Sequence, residues 1–157
     1  MFVGEKTLKL KPSKPMAGAR VIAMRQYRMR PERGCVLYVT DQGRWSSELE
    51  ESSGLPVVEV KSANELEAVL ADISAHLLVV EKDVHWACSV ELVSELNYLL
   101  EVPVLMLAPS CGPCAHDFLR DAYHAGVDDV LYDPWIEQGL NQAMNLLLKL
   151  HRSESVR

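Results

Sequence analysis

From Cys35 onward, short apolar runs alternate five times with stretches of helical periodicity, and few folds satisfy that order. The runs are Val36-Leu37-Tyr38-Val39, Val57-Val58-Glu59-Val60, Leu77-Leu78-Val79-Val80, Pro103-Val104-Leu105-Met106-Leu107 and Val130-Leu131-Tyr132. Between them, a short polar helix is expected over 44–53, ending at Ser52-Ser53-Gly54, and Ser62 with Glu65 forms a capping box for a helix carrying Leu66, Val69 and Leu70. Helices over about 89–100, carrying Val90, Val93, Leu96, Leu99 and Leu100, over 114–125, and over about 136–151, expected to bury Leu140, Ala143, Met144, Leu147 and Leu150, complete the set. Strands that are apolar without interruption are buried on both faces, which calls for a parallel sheet between two layers of helices. Right-handed crossovers leave few topologies. The expected fold is a three-layer α/β architecture with a five-stranded parallel sheet in the order 2-1-3-4-5.

At 157 residues, about half of them apolar, the chain can bury one sizeable core. No apolar run approaches the about 18 to 20 residues of a membrane span, and the N-terminus lacks the apolar stretch of a secretory signal. A cytoplasmic location is expected. The division is a basic extension over 1–34, a domain over 35–152 and a tail over 153–157. Charge marks the first boundary sharply. Residues 1–34 hold nine basic residues against two acidic ones, a charge of +7, whereas the rest holds seven against twenty, −13. Such an arm fits a solubilising tail lying against its own acidic body, or an arm for nucleic acid or an acidic partner. The first is favoured, because the acidic body would repel a phosphate backbone. Within the arm, Thr7-Leu8-Lys9-Leu10-Lys11 and Val21-Ile22-Ala23-Met24 are weakly strand-like.

The segment Ala125-Gly126-Val127-Asp128-Asp129-Val130-Leu131-Tyr132-Asp133-Pro134-Trp135 resembles the AGADDYLxKPF signature that closes the receiver domain of bacterial response regulators. With the five-unit order and the strand at Pro103–Leu107, the resemblance covers about 35–152. It implies a flavodoxin-like fold and five sites of phosphoryl chemistry, and each site departs from the pattern. The acidic pair that would hold Mg²⁺ is Thr40-Asp41. The phosphoacceptor aspartate is Glu81, the hydroxyl residue is Ala108, the switch aromatic is Val130, and the lysine is Asp133.

Each departure removes a requirement of the reaction. A glutamate would displace the acyl phosphate by more than about 1 Å, too far for in-line transfer. One carboxylate of the Mg²⁺ pair is missing, and with neither lysine nor hydroxyl nothing receives the transferred charge. Asp41, Glu81 and Asp133 would gather in one degenerate pocket and repel one another unless a cation binds or one is protonated. Solvent-exposed acids left after loss of function are the favoured account. Glu81 as a mimic of a phosphorylated aspartate is disfavoured by the missing switch residues.

Cys111-Gly112-Pro113-Cys114 is identical to the thioredoxin motif and lies between a strand and a helix, where the helix terminus would favour a thiolate. The likeness covers only this turn, and Ser110 stands where thioredoxins carry tryptophan. The loops after the third and fourth strands would bring His85, Cys88, Cys111, Cys114 and His116 within reach of one another, a set suited to Zn²⁺ or, less well, an iron–sulfur cluster. Inert thiols are favoured over redox activity at Cys111 and Cys114, and redox over metal. Cys35 is expected to be a buried packing residue. His76 is expected at the surface, and His124 on the signalling face. Trp86 and Trp135 near the loops are possible anchors for a partner. No glycine-rich phosphate loop or Ser-His-Asp set is present.

The function that follows is non-enzymatic: a pseudo-receiver binding protein partners, or a second copy of itself, through about 114–150, with no cofactor. A redox-responsive or metal-binding sensor is the alternative.

Overall fold

The computed structural model describes residues 34–109 and 115–156. Five strands, β1 (Cys35–Val39), β2 (Val57–Val60), β3 (Ala75–Glu81), β4 (Val104–Ala108) and β5 (Asp129–Tyr132), alternate with α1 (Ser46–Ser53), α2 (Ala63–Leu70), α3 (Ser89–Leu100), α4 (Ala115–Ala125) and α5 (Ile136–Val156). All strand pairs are parallel, in the order β2-β1-β3-β4-β5. The expected architecture is the observed one. The basic extension, with its two strand-like runs, lies outside the described residues except for Gly34, and so do Ser110 to Cys114.

The alternation of side chains along each strand divides the core into two layers. Leu37, Val39, Leu78, Val80, Val104 and Met106 point to one face and meet Leu66 and Val69 of α2, Leu92, Val93 and Leu96 of α3, and Ala122 of α4. Val36, Tyr38, Leu77, Val79, Leu105 and Leu107 point to the other and meet Leu49 of α1 and Ile136, Leu140, Met144 and Leu147 of α5. β1 and β4 have no exposed residue.

Local chemistry sets the ends of the helices. Ser62 Oγ accepts from the Glu65 amide at 3.1 Å, and a Glu65 carboxylate oxygen accepts from Lys61 N–H at 3.1 Å, closing the capping box one residue before the cap. Gly54 ends α1 with a left-handed φ of 70° and donates to Glu50 at 2.8 Å. Gly126, at φ 118°, lies against Asn97, where a Cβ would come within 2.6 Å of the amide.

Three expectations are corrected. α5 continues to Val156 instead of ending near 151, because no glycine or proline after Gly139 stops it. Leu150 is exposed, since it borders the loops entering β4 and β5 and no strand covers it. His76 is half-buried, its ring packed on Gly34, where only a residue without a Cβ fits.

Cys35 is fully buried as expected, and burial pushes its thiol up to about 12 from 9.0. The unfolded chain therefore loses this proton first. Stability from this group is complete below about pH 9 and falls as pH rises toward 12. Urea unfolding should show a midpoint that declines above pH 9, with Cys35→Ala flattening the decline whatever it costs at neutral pH. An unchanged decline in the variant would contradict this.

Candidate functional site

The loops at the carboxyl ends of the strands enclose a cleft of about 230 Å³ bordered by Asp41, Arg44, Glu81, Asp83, Ala108 and Asp133, among others. The four residues of the expected degenerate pocket, Asp41, Glu81, Ala108 and Asp133, are thus brought together. Each carboxylate of the trio has a partner of its own.

Glu81 ends β3, and the parallel register pairs Tyr38 with Val79 and Val39 with Val80, which places Thr40 opposite Glu81 and Tyr38 two residues back on the same face. Thr40 Oγ1 donates to Glu81 Oε1 at 2.8 Å, and the Tyr38 hydroxyl donates to Glu81 Oε2. Both hydroxyls are themselves held: Tyr38 accepts from Trp45 N–H at 3.2 Å, and Thr40 from Gly43 N–H at 2.9 Å and Gln42 N–H at 3.2 Å. Burial, and after it the hydrogen bond and charge of Glu81, pushes the Tyr38 phenol well above its usual range, so it stays a donor. Lys82, the next residue, turns away and stacks over the Phe118 ring at 4.7 Å.

Asp41 is bound by the β3–α3 loop. Its carboxylate accepts the His85 backbone N–H at 3.1 and 3.2 Å and meets the His85 imidazole Nδ1. Asp133 pairs with Arg44 at 3.6 Å, and the Arg44 guanidinium also lies 4.7 Å from the Trp45 ring centre. The edge nevertheless holds one positive group and two hydroxyls, none of them at Ala108 or Asp133, where the resemblance looks for groups to receive transferred charge. Arg44 supplies the charge and Tyr38 and Thr40 the hydroxyls. All three come from β1 and the loop after it, outside the positions where the resemblance looks for them.

Ala108 is buried and presents a methyl group, its carbonyl accepting from Asp133 N–H at 3.1 Å. The Asp133–Pro134 peptide bond is cis. Val130 is half-buried against the α2–α4 side of the core.

No family model matches the sequence, and no curated protein matches it. Solved structures do. The receiver domain of Francisella response regulator 1452 superposes with a TM-score of 0.60 at 18% identity, covering 74% of this chain and 97% of that one. A CheY-like response regulator receiver domain protein from Methanospirillum hungatei gives 0.65 at 16% identity, covering 77% and 98%. NtrX from Brucella abortus gives 0.65 at 16%, and the match spans 78% of this chain but only 28% of NtrX. The fold is that of a receiver domain.

On the receiver fold, the cysteine and histidine expectations divide. Cys111 and Cys114 lie outside the described residues. Cys88 is an exposed free thiol at the start of α3, and His85 is turned onto Asp41. Among the described residues no three His, Cys, Asp or Glu side chains converge as metal ligands, so His85, Cys88 and His116 do not form such a group by themselves or with an acid. Trp86 is corrected from an exposed anchor to a half-buried residue packed on the core, whereas Trp135 is 61% exposed. His124 is exposed on α4.

Tyr38→Phe should remove a charge-assisted hydrogen bond from Glu81 and cost about 1.5–3 kcal/mol. Thr40→Val should cost a similar amount and free the Gln42 and Gly43 amides. Urea unfolding at neutral pH measures both. A loss under about 0.5 kcal/mol for each would show that water replaces the hydroxyls without penalty.

Proposed function

We propose that this chain is a pseudo-receiver, a phosphorylation-independent regulatory module that works by binding other proteins. The observation that carries the proposal is the state of Glu81. Attack on a phosphoryl donor needs a carboxylate oxygen free to approach in line, with a metal ion bridging it to the phosphate. Both oxygens of Glu81 instead accept from hydroxyls anchored by backbone amides. Ala108 offers no hydroxyl, and Asp133, whose own charge is already paired with Arg44, stands where the resemblance calls for a lysine to meet the transferred phosphoryl group.

What remains for function is surface. Between α4 and α5, Tyr123 (47% exposed), Trp135 (61%), Leu146 (55%) and Leu150 (53%) present apolar area to solvent. Trp135, just before α5, and Gly139, Leu146 and Leu150 on it follow helical spacing, and Gly139 abuts Leu131 of the edge strand β5, which puts this stripe beside β5. Aromatic side chains such as Tyr123 and Trp135 are the kind in which association energy concentrates, and the leucines extend the apolar area around them. The stripe is assigned to a protein partner, a second copy of the chain included.

Incubation with acetyl phosphate and Mg²⁺, followed by intact-mass measurement, should give no phosphoryl adduct. A stoichiometric glutamyl phosphate at Glu81 would overturn the proposal. On the interaction side, Trp135→Ala with Leu146→Asp should change folding stability by less than about 0.5 kcal/mol per site, while association through this face weakens roughly tenfold or more. Sedimentation of the wild type and variant over a concentration series reads the self-association arm of that prediction.

A further inference from the structure

We infer that the groove between α1 and α5 is the docking site of the chain's own basic segment, residues 1–33. The inference does not depend on the loss of phosphorylation or on the α4–α5 face. The groove has a volume of about 340 Å³ and is lined by Glu48, Glu51 and Ser52 of α1 and by Glu137, Leu140 and Asn141 of α5. Every charged group on its walls is acidic. Among the described residues the ion pairs join Arg44, Lys61, His85 and Arg120 to acids elsewhere, and none reaches Glu48, Glu51 or Glu137. α1 adds Glu50 and has no basic residue in its last turn, so the negative end of its dipole also lacks a cation.

Charge, length and point of attachment identify the occupant. Residues 1–33 contain nine lysines and arginines against two glutamates, a charge of +7, with apolar residues such as Leu8, Leu10, Val21 and Ile22 between them. The segment joins the body at Gly34, next to the end of α1: Val36 N–H donates to the Pro56 carbonyl at 2.9 Å, and Leu55 shares a core cluster with Val36. Thirty-three residues can span about 110 Å, against a length of about 12 Å for an eight-residue helix, so reach places no limit on docking. Tethering holds the cations at an effective concentration in the millimolar range, where contacts too weak to persist between separate molecules are occupied. A nucleic-acid backbone would have to compete with this groove and approach a body of charge −13 over residues 34–157.

The test is zero-length carbodiimide cross-linking of the full chain at low micromolar concentration, with linked peptides located by mass spectrometry. Lys6, Lys9, Lys11 and Lys14 should join Glu48, Glu51 and Glu137 within one chain, and the yield should fall severalfold in about 0.5 M salt. Glu137→Gln should also lower the yield at the unaltered Glu48 and Glu51, which chance encounters would not do. Because Glu137 is exposed, the variant is expected to fold, and the salt series needs no variant. Links distributed equally over Glu91, Glu95, Asp117 and Asp121 would overturn the inference. So would the absence of groove links. Links found only between isotopically labelled and unlabelled copies would assign the groove to another molecule of the chain and overturn the intramolecular site.

Discussion

The central strands of this sheet are buried on both faces, and that constraint places nearly everything else. β1 and β4 expose no residue, and β3 buries all but its ends. A charged side chain within such a strand would lose its hydration without recovering it, so polar groups are confined to the strand termini and the loops beyond them. In a parallel sheet all the carboxyl ends lie on one side, and the chemistry of five strands is therefore collected at a single edge. Tyr38 is the exception that depends on the rule. Its ring fills the core beside Val36 and Val79, and its hydroxyl reaches the edge just where Glu81 can accept from it.

The edge is held together by three ties, each between segments distant in sequence. Thr40 and Tyr38 bind Glu81, His85 binds Asp41, and Arg44 binds Asp133. Their weights differ. The Arg44–Asp133 pair is largely exposed and contributes on the order of 1 kcal/mol or less, decreasing with salt. The Glu81 contacts use a buried phenol and a buried threonine, so their loss leaves groups that water reaches poorly. The pocket is thus sealed by neutral hydroxyls, and the inverted ion pair at Asp133 is secondary to them.

How far this was legible in the sequence follows from the range of each signal. Strand runs, the Ser62–Glu65 box and the Ser52-Ser53-Gly54 stop are written within a few residues of one another, and the order 2-1-3-4-5 follows from the alternation alone. The gathering of Asp41, Glu81, Ala108 and Asp133 needed only that order. Their partners needed more. Tyr38 reads as a core residue until the β1–β3 register sets Thr40 opposite Glu81, and register between strands that are not consecutive in sequence leaves no local mark. Arg44 lies in a loop, and its pairing with Asp133 joins two loops on either side of the sheet's switch in direction. Leu150 followed helical periodicity and failed for another reason, since no strand lies against α5 at that point. Trp86 shows the converse: its position in a loop suggested exposure, but the loop folds back on the core.

A receiver that switches keeps its binding face in two arrangements, and a partner's affinity is reduced by the fraction of molecules in the competent one. The ties at this edge connect the loop before α5 to the loop before α1, and the end of β3 to the hydroxyls of Tyr38 in β1 and Thr40 just after it. On the proposed reading of the chain as a pseudo-receiver, a face supported by one fixed arrangement has no such reduction but gives up control from the pocket, and control would then come from competition for surface. α5 is the element on which that competition would be felt, because its apolar stripe faces β5 and its opposite flank, with Glu137 and Asn141, forms one wall of the acidic groove. A basic segment seated in that groove would lie one helix diameter, about 10–12 Å, from Trp135 and Leu146. Occupancy of the groove would therefore act on the binding face by bulk and charge, with no change in the fold beneath it.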